Sequence, residues 1–180
     1  MSDSFAEIVA STDPALIIVT AAAGGERAGC LVEFHSQSSM APPRYCVWLS
    51  KANYTYRVAL HTTHLAIHFL TSADLPLAEL FGTQTGDEVD KFAGLSVGSG
   101  AGRTPVIERC RNRMVVRRTA LLDEGGDHVC MVTEPVDVSS GGPFQPLRIS
   151  HAPHLVAGHD PGERPNPPTE RAAPGGGAGR

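Results

Sequence analysis

Four short stretches of this chain combine side chains that can bind or transform a ligand. His35-Ser36-Gln37-Ser38-Ser39 offers an imidazole, an amide and hydroxyls that can bond the edge of a heteroaromatic ring. Ser50-Lys51-Ala52-Asn53-Tyr54-Thr55 lies where an apolar run gives way to a helical pattern. The first amides of a helix lack internal partners and carry the positive end of its dipole. With the Ser50 and Thr55 hydroxyls and the Lys51 charge, they suit a phosphate. The same residues equally allow Ser50 or Asn53 to act as a plain helix cap. Asp90-Lys91-Phe92 reads as a helical turn with a surface ion pair and one buried aromatic. Gly126-Asp127-His128 is a turn entering a strand. A histidine at such a rim can donate to a ligand amide or phosphate, or can simply close a hairpin.

Other patterns point away from chemistry. His61, His64 and His68 invite a metal reading, but no acidic third ligand or outer carboxylate lies nearby in sequence. A solvated strand face accounts for them better, and no metal site is expected. The arginines from Arg109 to Arg118 read as a solvated strand face, with contact to a dinucleotide phosphate as the alternative. Gly98 to Gly102 lacks the third glycine of a Rossmann fingerprint and has no strand–helix setting. No Ser/His/Asp set follows from spacing.

The elements that must position these stretches are short. Asp3 to Ala10 suits a helix. Ala15 to Thr20, rich in β-branched residues, suits a buried strand, and Gly24-Gly25 turns it into a second strand from Ala28 to Phe34. His35 to Ser39 then reads as a polar loop, and Pro42-Pro43 turns the chain into a strand from Tyr45 to Leu49. Polar termini on both sides of that turn are expected at one end of a sheet. A helix from Asn53 to Leu60, a half-buried strand from His64 to Leu70 and a helix from Asp74 to Phe81 follow, with Gly82 as the stop. Gly98 to Gly102 reads as a flexible link, Glu108 to Leu122 as one long strand, His128 to Val138 as another, and Pro146 to Ile149 as a last edge strand. About six or seven short strands with inserted helices make a mainly β fold, a small barrel with helices at its ends.

Composition bounds the rest. A chain of 180 residues buries about 70% of its unfolded surface, enough for one core. The net charge of −4 argues against general nucleic-acid binding. No apolar run approaches the ~20 residues of a membrane span, and no basic-then-apolar leader opens the sequence. Cys30, Cys46, Cys110 and Cys130 lie far apart in apolar runs, as reduced thiols of a cytoplasmic protein would. Residues 1–156 read as one domain, and 157–180, dominated by Pro, Gly and charge, as a disordered tail.

Taken in order, the four polar stretches resemble the flavin reductase-like, FMN-binding split-barrel family, from about Pro14 to His154. The resemblance implies a homodimer of split barrels with FMN, or FAD, at the subunit interface and NADH or NADPH as hydride donor. It further implies that Ser36 to Ser39, with His35 leading the loop, contact the flavin ring. By the same resemblance Ser50, Lys51, Asn53 and Thr55 hold the phosphate, Phe92 approaches the flavin, and His128 is the catalytic residue associated with the nicotinamide. A monooxygenase partner that receives reduced flavin is implied as well. Where many members carry small residues, this chain has Glu33, His35 and Gln37. That departure leaves a non-catalytic flavin-binding protein or carrier as the alternative.

Overall fold

The computed structural model describes residues 2–155. Helix α1 (Ser2–Ala10) precedes strands β1 (Ile17–Ala23), β2 (Glu26–Val32), β3 (His35–Met40) and β4 (Pro43–Ser50). Helix α2 (Tyr54–Leu60), strand β5 (His64–Phe69) and helix α3 (Leu75–Thr83) follow, then β6 (Val97–Ser99), β7 (Pro105–Ile107), β8 (Arg113–Leu122) and β9 (His128–Ser139). Among these, β6 and β7 form a separate two-stranded sheet, and the other strands form one antiparallel sheet in the order β2-β1-β5-β8-β9-β4-β3.

That order forces the sheet to curl. Its two edge strands, β2 and β3, are consecutive in the chain and joined only by Glu33 and Phe34. Laid flat, seven strands would place the edges roughly 29 Å apart, whereas the step from Val32 to His35 spans at most about 11 Å. The sheet therefore closes on itself as a barrel. Trp48 N donates to Phe34 O at 2.9 Å, tying the connecting residues to β4.

β1 shows why an unbroken apolar run suits this place. Ile17, Val19 and Ala21 point into the barrel with Cys30, Val47, Leu49, Leu65 and Met131. Leu16 and Ile18, of the other parity, pack outside with Leu77, Phe81, Phe92, Ile107 and Leu147. A strand buried on both faces needs no polar alternation. Cys30, Cys46, Cys110 and Cys130 are all buried and unpaired, as expected of reduced thiols. Gly29 is required by packing, because a Cβ there would lie 2.5 Å from the Phe81 ring.

Several expectations are corrected. His35 to Ser39 is strand β3, not a loop. It pairs with β4 as His35↔Val47, Ser36↔Cys46 and Ser39↔Arg44, so its polar residues run toward the hairpin tip and away from Ser50. The two polar termini thus do not meet at one end. Gly82 does not end α3, which continues to Thr83. Glu108 to Leu122 is not one strand. The chain turns at Cys110, whose N–H donates to Ile107 O, before β8 begins at Arg113. Gly98 to Gly102 forms part of β6 and a 3-10 turn rather than a link. Pro146 to Ile149 contributes a single bridge, Ala15↔Arg148, in place of an edge strand. The tail assigned to 157–180 lies outside the described residues. No helix among the described residues is long and apolar enough to cross a membrane.

His68 does not belong to a solvated face, being fully buried. Its Nδ1 donates to Ile18 O at 3.1 Å and its Nε2 accepts from Ile107 N at 3.0 Å. Both partners fix the neutral ring, and burial, partly opposed by the Ile18 bond, lowers its pKa to about 4. The unfolded chain, with an ordinary histidine, takes up this proton first as pH falls. Stability is therefore complete above about pH 6.5 and declines toward pH 4, by roughly 3 kcal/mol for this group. Urea unfolding at steps between pH 7 and pH 4 is expected to show that decline, with a shallower slope in His68→Gln.

Candidate functional site

The short Glu33–Phe34 connection borders a cleft between β2, the end of β4 and the start of α2. A cavity of about 300 Å³ opens there, at the lower end of the ~300–1,000 Å³ typical of small-molecule sites. Its walls come from Cys30 to Phe34 along β2, Trp48 to Ser50 at the end of β4, Asn53 and Tyr54 at the start of α2, and Phe81 and Gly82 of α3. Gln84, Thr85, Lys91 and His128 complete the polar lining.

The register explains why these groups converge. Ser50 and His128 are partners across β4 and β9, and Trp48 pairs with Cys130. Phe34 bonds Trp48 through its backbone, and its ring sits 5.0 Å from the His128 ring. Phe34 and His128 therefore form an aromatic pair, and Trp48 lines the same cavity. His128 Nδ1 donates to Asp127 Oδ1 at 2.9 Å, which holds the Asp127 carboxyl below its usual range. Glu33, half-buried on the same wall, is pushed up by burial, with His128 partly opposing.

Lys91 is 5% exposed, and its ammonium donates to Gly29 O at 3.1 Å and Phe81 O at 3.0 Å. Burial lowers its pKa. Asp90 pairs not with Lys91 but with Arg27, at 2.7 Å on the surface. The expected surface ion pair within this motif is thus replaced by a buried lysine.

The sequence-predicted residues divide. Ser50, Asn53 and His128 line the cavity. Asn53 also caps α2, its side chain accepting from Thr55 N at 2.9 Å. Lys51 turns outward to Asp123, 2.8 Å away. Thr55 is buried, with an Oγ1 that lacks a hydrogen-bond partner. Phe92 is not on the wall. It packs edge-to-face on Phe81 at 5.4 Å, with Arg27 5.0 Å above its ring. His35, Ser36, Gln37, Ser38 and Ser39 do not reach the cavity either. Ser36 and Gln37 bond backbone oxygens within β3, Ser38 Oγ accepts from Cys46 Sγ, and Ser39 O receives the Gln37 amide. His35 bridges the Tyr45 hydroxyl (2.6 Å) and Ala15 O (2.9 Å), and burial lowers its pKa. Residues the sequence reading missed are Leu31, Val32, Phe34, Trp48, Gln84, Thr85 and Lys91, whereas Glu33, singled out as a departure from the family pattern, does line the cavity. The adjacent Ser-rich stretch drew attention one turn of chain too late, and no sequence signal marked Lys91 as buried.

No cluster of three metal-ligating side chains occurs among the described residues.

Residues 11–151 match the model of the flavin reductase like domain, and the chain belongs to that family. Solved structures agree on the fold. The flavin reductase HpaC, complexed with NADP+, superposes with a TM-score of 0.68 at 21% identity, over 79% of this chain and 92% of that one. Nitrilotriacetate monooxygenase component B from Mycobacterium thermoresistibile gives 0.71 at 18% identity, over 82% and 80%. An FMN-binding protein from Thermus thermophilus, with bound p-hydroxybenzaldehyde, gives 0.66 at 20%, over 71% and 72%.

A structural role for His35 is directly testable. His35→Ala leaves the Tyr45 hydroxyl and Ala15 carbonyl without partners and is expected to cost about 1–3 kcal/mol. Urea unfolding reads that loss, while flavin titration is expected to show an affinity within about twofold of the parent.

Proposed function

We propose that the protein is an NAD(P)H-dependent flavin reductase that takes FMN, or FAD, in the cleft beside β2. The observation that carries this is the pairing of aromatic side chains (Phe34, Trp48, His128) with polar ones (Ser50, Asn53, Gln84, Thr85, Lys91) on the lining of one cavity in a family member. A flat ring with a polar chain asks for that combination. The donor set fits, because Ser50, Asn53, Gln84, Thr85 and Lys91 supply hydroxyl, amide and ammonium groups on one lining. When bound, a flavin accepts hydride at N5 and passes electrons onward.

What the chain itself must do is modest. Phe34 and Trp48 offer apolar surface that orients a ring and excludes water. His128, held by Asp127, lines the cavity, where its free Nε2 can bond a nicotinamide carboxamide. No acid–base triad is needed, because the hydride moves between cofactors. Phe34 on the cavity lining and Leu121 and Leu122 at the end of β8 are exposed apolar side chains, which favours their cover by a second copy of the chain, hence a homodimer. The likeness to a monooxygenase component B favours delivery of reduced flavin to a separate oxygenase.

Glu33 supports a second reading. A half-buried carboxyl beside His128 crowds the place where a nicotinamide would stack. A flavin-binding protein or carrier without turnover would keep the cavity and dispense with that space.

NADH and NADPH oxidation, with and without added FMN, separates the two. The reductase reading expects FMN-dependent oxidation, reduced roughly tenfold in kcat/KM by His128→Ala. Flavin binding without oxidation would establish the carrier. Light scattering is expected to give the mass of a dimer.

A further inference from the structure

Two cavities of this molecule meet at one side chain. The first is the cleft described above. The second, a groove of about 380 Å³, lies between the β1–β2 hairpin, which contributes Gly24 and Glu26, and α2, which contributes Tyr54, Arg57 and Val58. Tyr54 lines both, and no other described residue does. Its ring is therefore part of the wall that separates them.

The ring is held from several sides. Arg57 places its guanidinium over it, 5.2 Å from the centroid, and is itself paired with Asp87. Gly86 comes so near that a Cβ there would lie 2.6 Å from Tyr54 Cδ1. Burial, and then the Glu26 carboxylate beside the phenol, raise the Tyr54 pKa, so the hydroxyl keeps its proton. Gly86 and Asp87 directly follow Gln84 and Thr85, which line the first cavity. One stretch after α3 thus supplies two polar residues to that cavity and braces the partition with the next two.

The two sides differ in chemistry. Next to Tyr54 the first cavity carries neutral polar groups, Asn53, Gln84 and Thr85. The groove combines apolar Ala23 and Val58 with the ionisable Glu26, Arg57 and His61. Apolar surface beside a guanidinium suits a second heteroaromatic ring. The first cavity, at about 300 Å³, is near the lower limit for a small-molecule site. A ligand of one nucleotide can stay within it, whereas a dinucleotide must continue past Tyr54.

We propose that Tyr54 is a specificity-determining residue whose ring keeps the adenylate half of a dinucleotide flavin out of the groove beyond, so that the site takes FMN and rejects FAD. This rests on the flavin reading above and deepens it, since that reading admits either flavin. Discrimination comes from exclusion of the longer ligand and needs no added contact to the shorter one.

Calorimetric titration with FMN and with FAD is the test. The parent is expected to bind FMN roughly tenfold or more tighter than FAD. Tyr54→Ala is expected to tighten FAD roughly tenfold and to leave FMN within about threefold of the parent. Tyr54→Phe retains the ring and is expected to retain the parent's ratio. Arg57→Ala removes a brace from the exposed side and is expected to move the ratio toward FAD by a smaller factor. Should Tyr54→Ala not fold, Arg57→Ala decides, and an unmoved ratio there overturns the proposal. A parent that binds FAD as tightly as FMN overturns it while leaving the flavin reading in place. Equal losses for both flavins in Tyr54→Ala assign the ring a packing role only and also overturn it. A parent that binds neither flavin refutes the flavin reading and the partition with it.

Discussion

Two residues, Glu33 and Phe34, carry the constraint on which the molecule depends. They join the opposite edges of a seven-stranded sheet. An edge-to-edge link this short forbids a flat sheet and compels closure. It also leaves a local seam, because β2 and β3 follow one another in the chain without pairing along their length. The cleft lies beside it, walled by β2, the connector and the end of β4. The connector therefore fixes the barrel and furnishes the cavity wall at the same time. Residues there answer to two demands, the turn of the chain and the shape of the ligand.

The apolar skeleton was legible because periodicity reports burial. The β1–β2 hairpin at Gly24-Gly25, the Asn53 cap of α2 and the buried run of β9 follow from pattern and turn chemistry. β3 was not legible. Its residues are exposed or partly exposed on both faces, so a polar edge strand carries the composition of a loop. Glu108 to Asn112 alternates well enough to pass as strand. The break is tertiary: Arg109 is drawn to Asp74 and the Ala73 carbonyl, while β7 pairs with β6.

The candidate site shows the same division. Ser50, Asn53 and His128 sit at element ends, where sequence chemistry is informative. Lys91 and His68 were read as solvated because a charged or ionisable side chain usually is. In each case the deciding fact is a pair of backbone groups brought from distant elements: Gly29 and Phe81 for Lys91, Ile18 and Ile107 for His68. No local pattern announces such partners. His35 illustrates the converse. Its polarity suggested a ligand, yet its two nitrogens are used to bolt the Ala15 carbonyl to the Tyr45 hydroxyl.

The buried thiols have a use unconnected with catalysis. Cys30 lies in β2, Cys46 in β4, Cys110 in the turn after β7 and Cys130 in β9. Burial pushes Cys30 up to about 11 and Cys110 and Cys130 up to about 12, so thiolate is scarce at neutral pH while the fold is intact. An alkylating reagent can reach them only when the chain breathes. The molecule thus carries reporters in separate strands of its sheet. Cys30 times the opening of the strand that bears the cavity, and Cys130 times that of the central hairpin, with no label added.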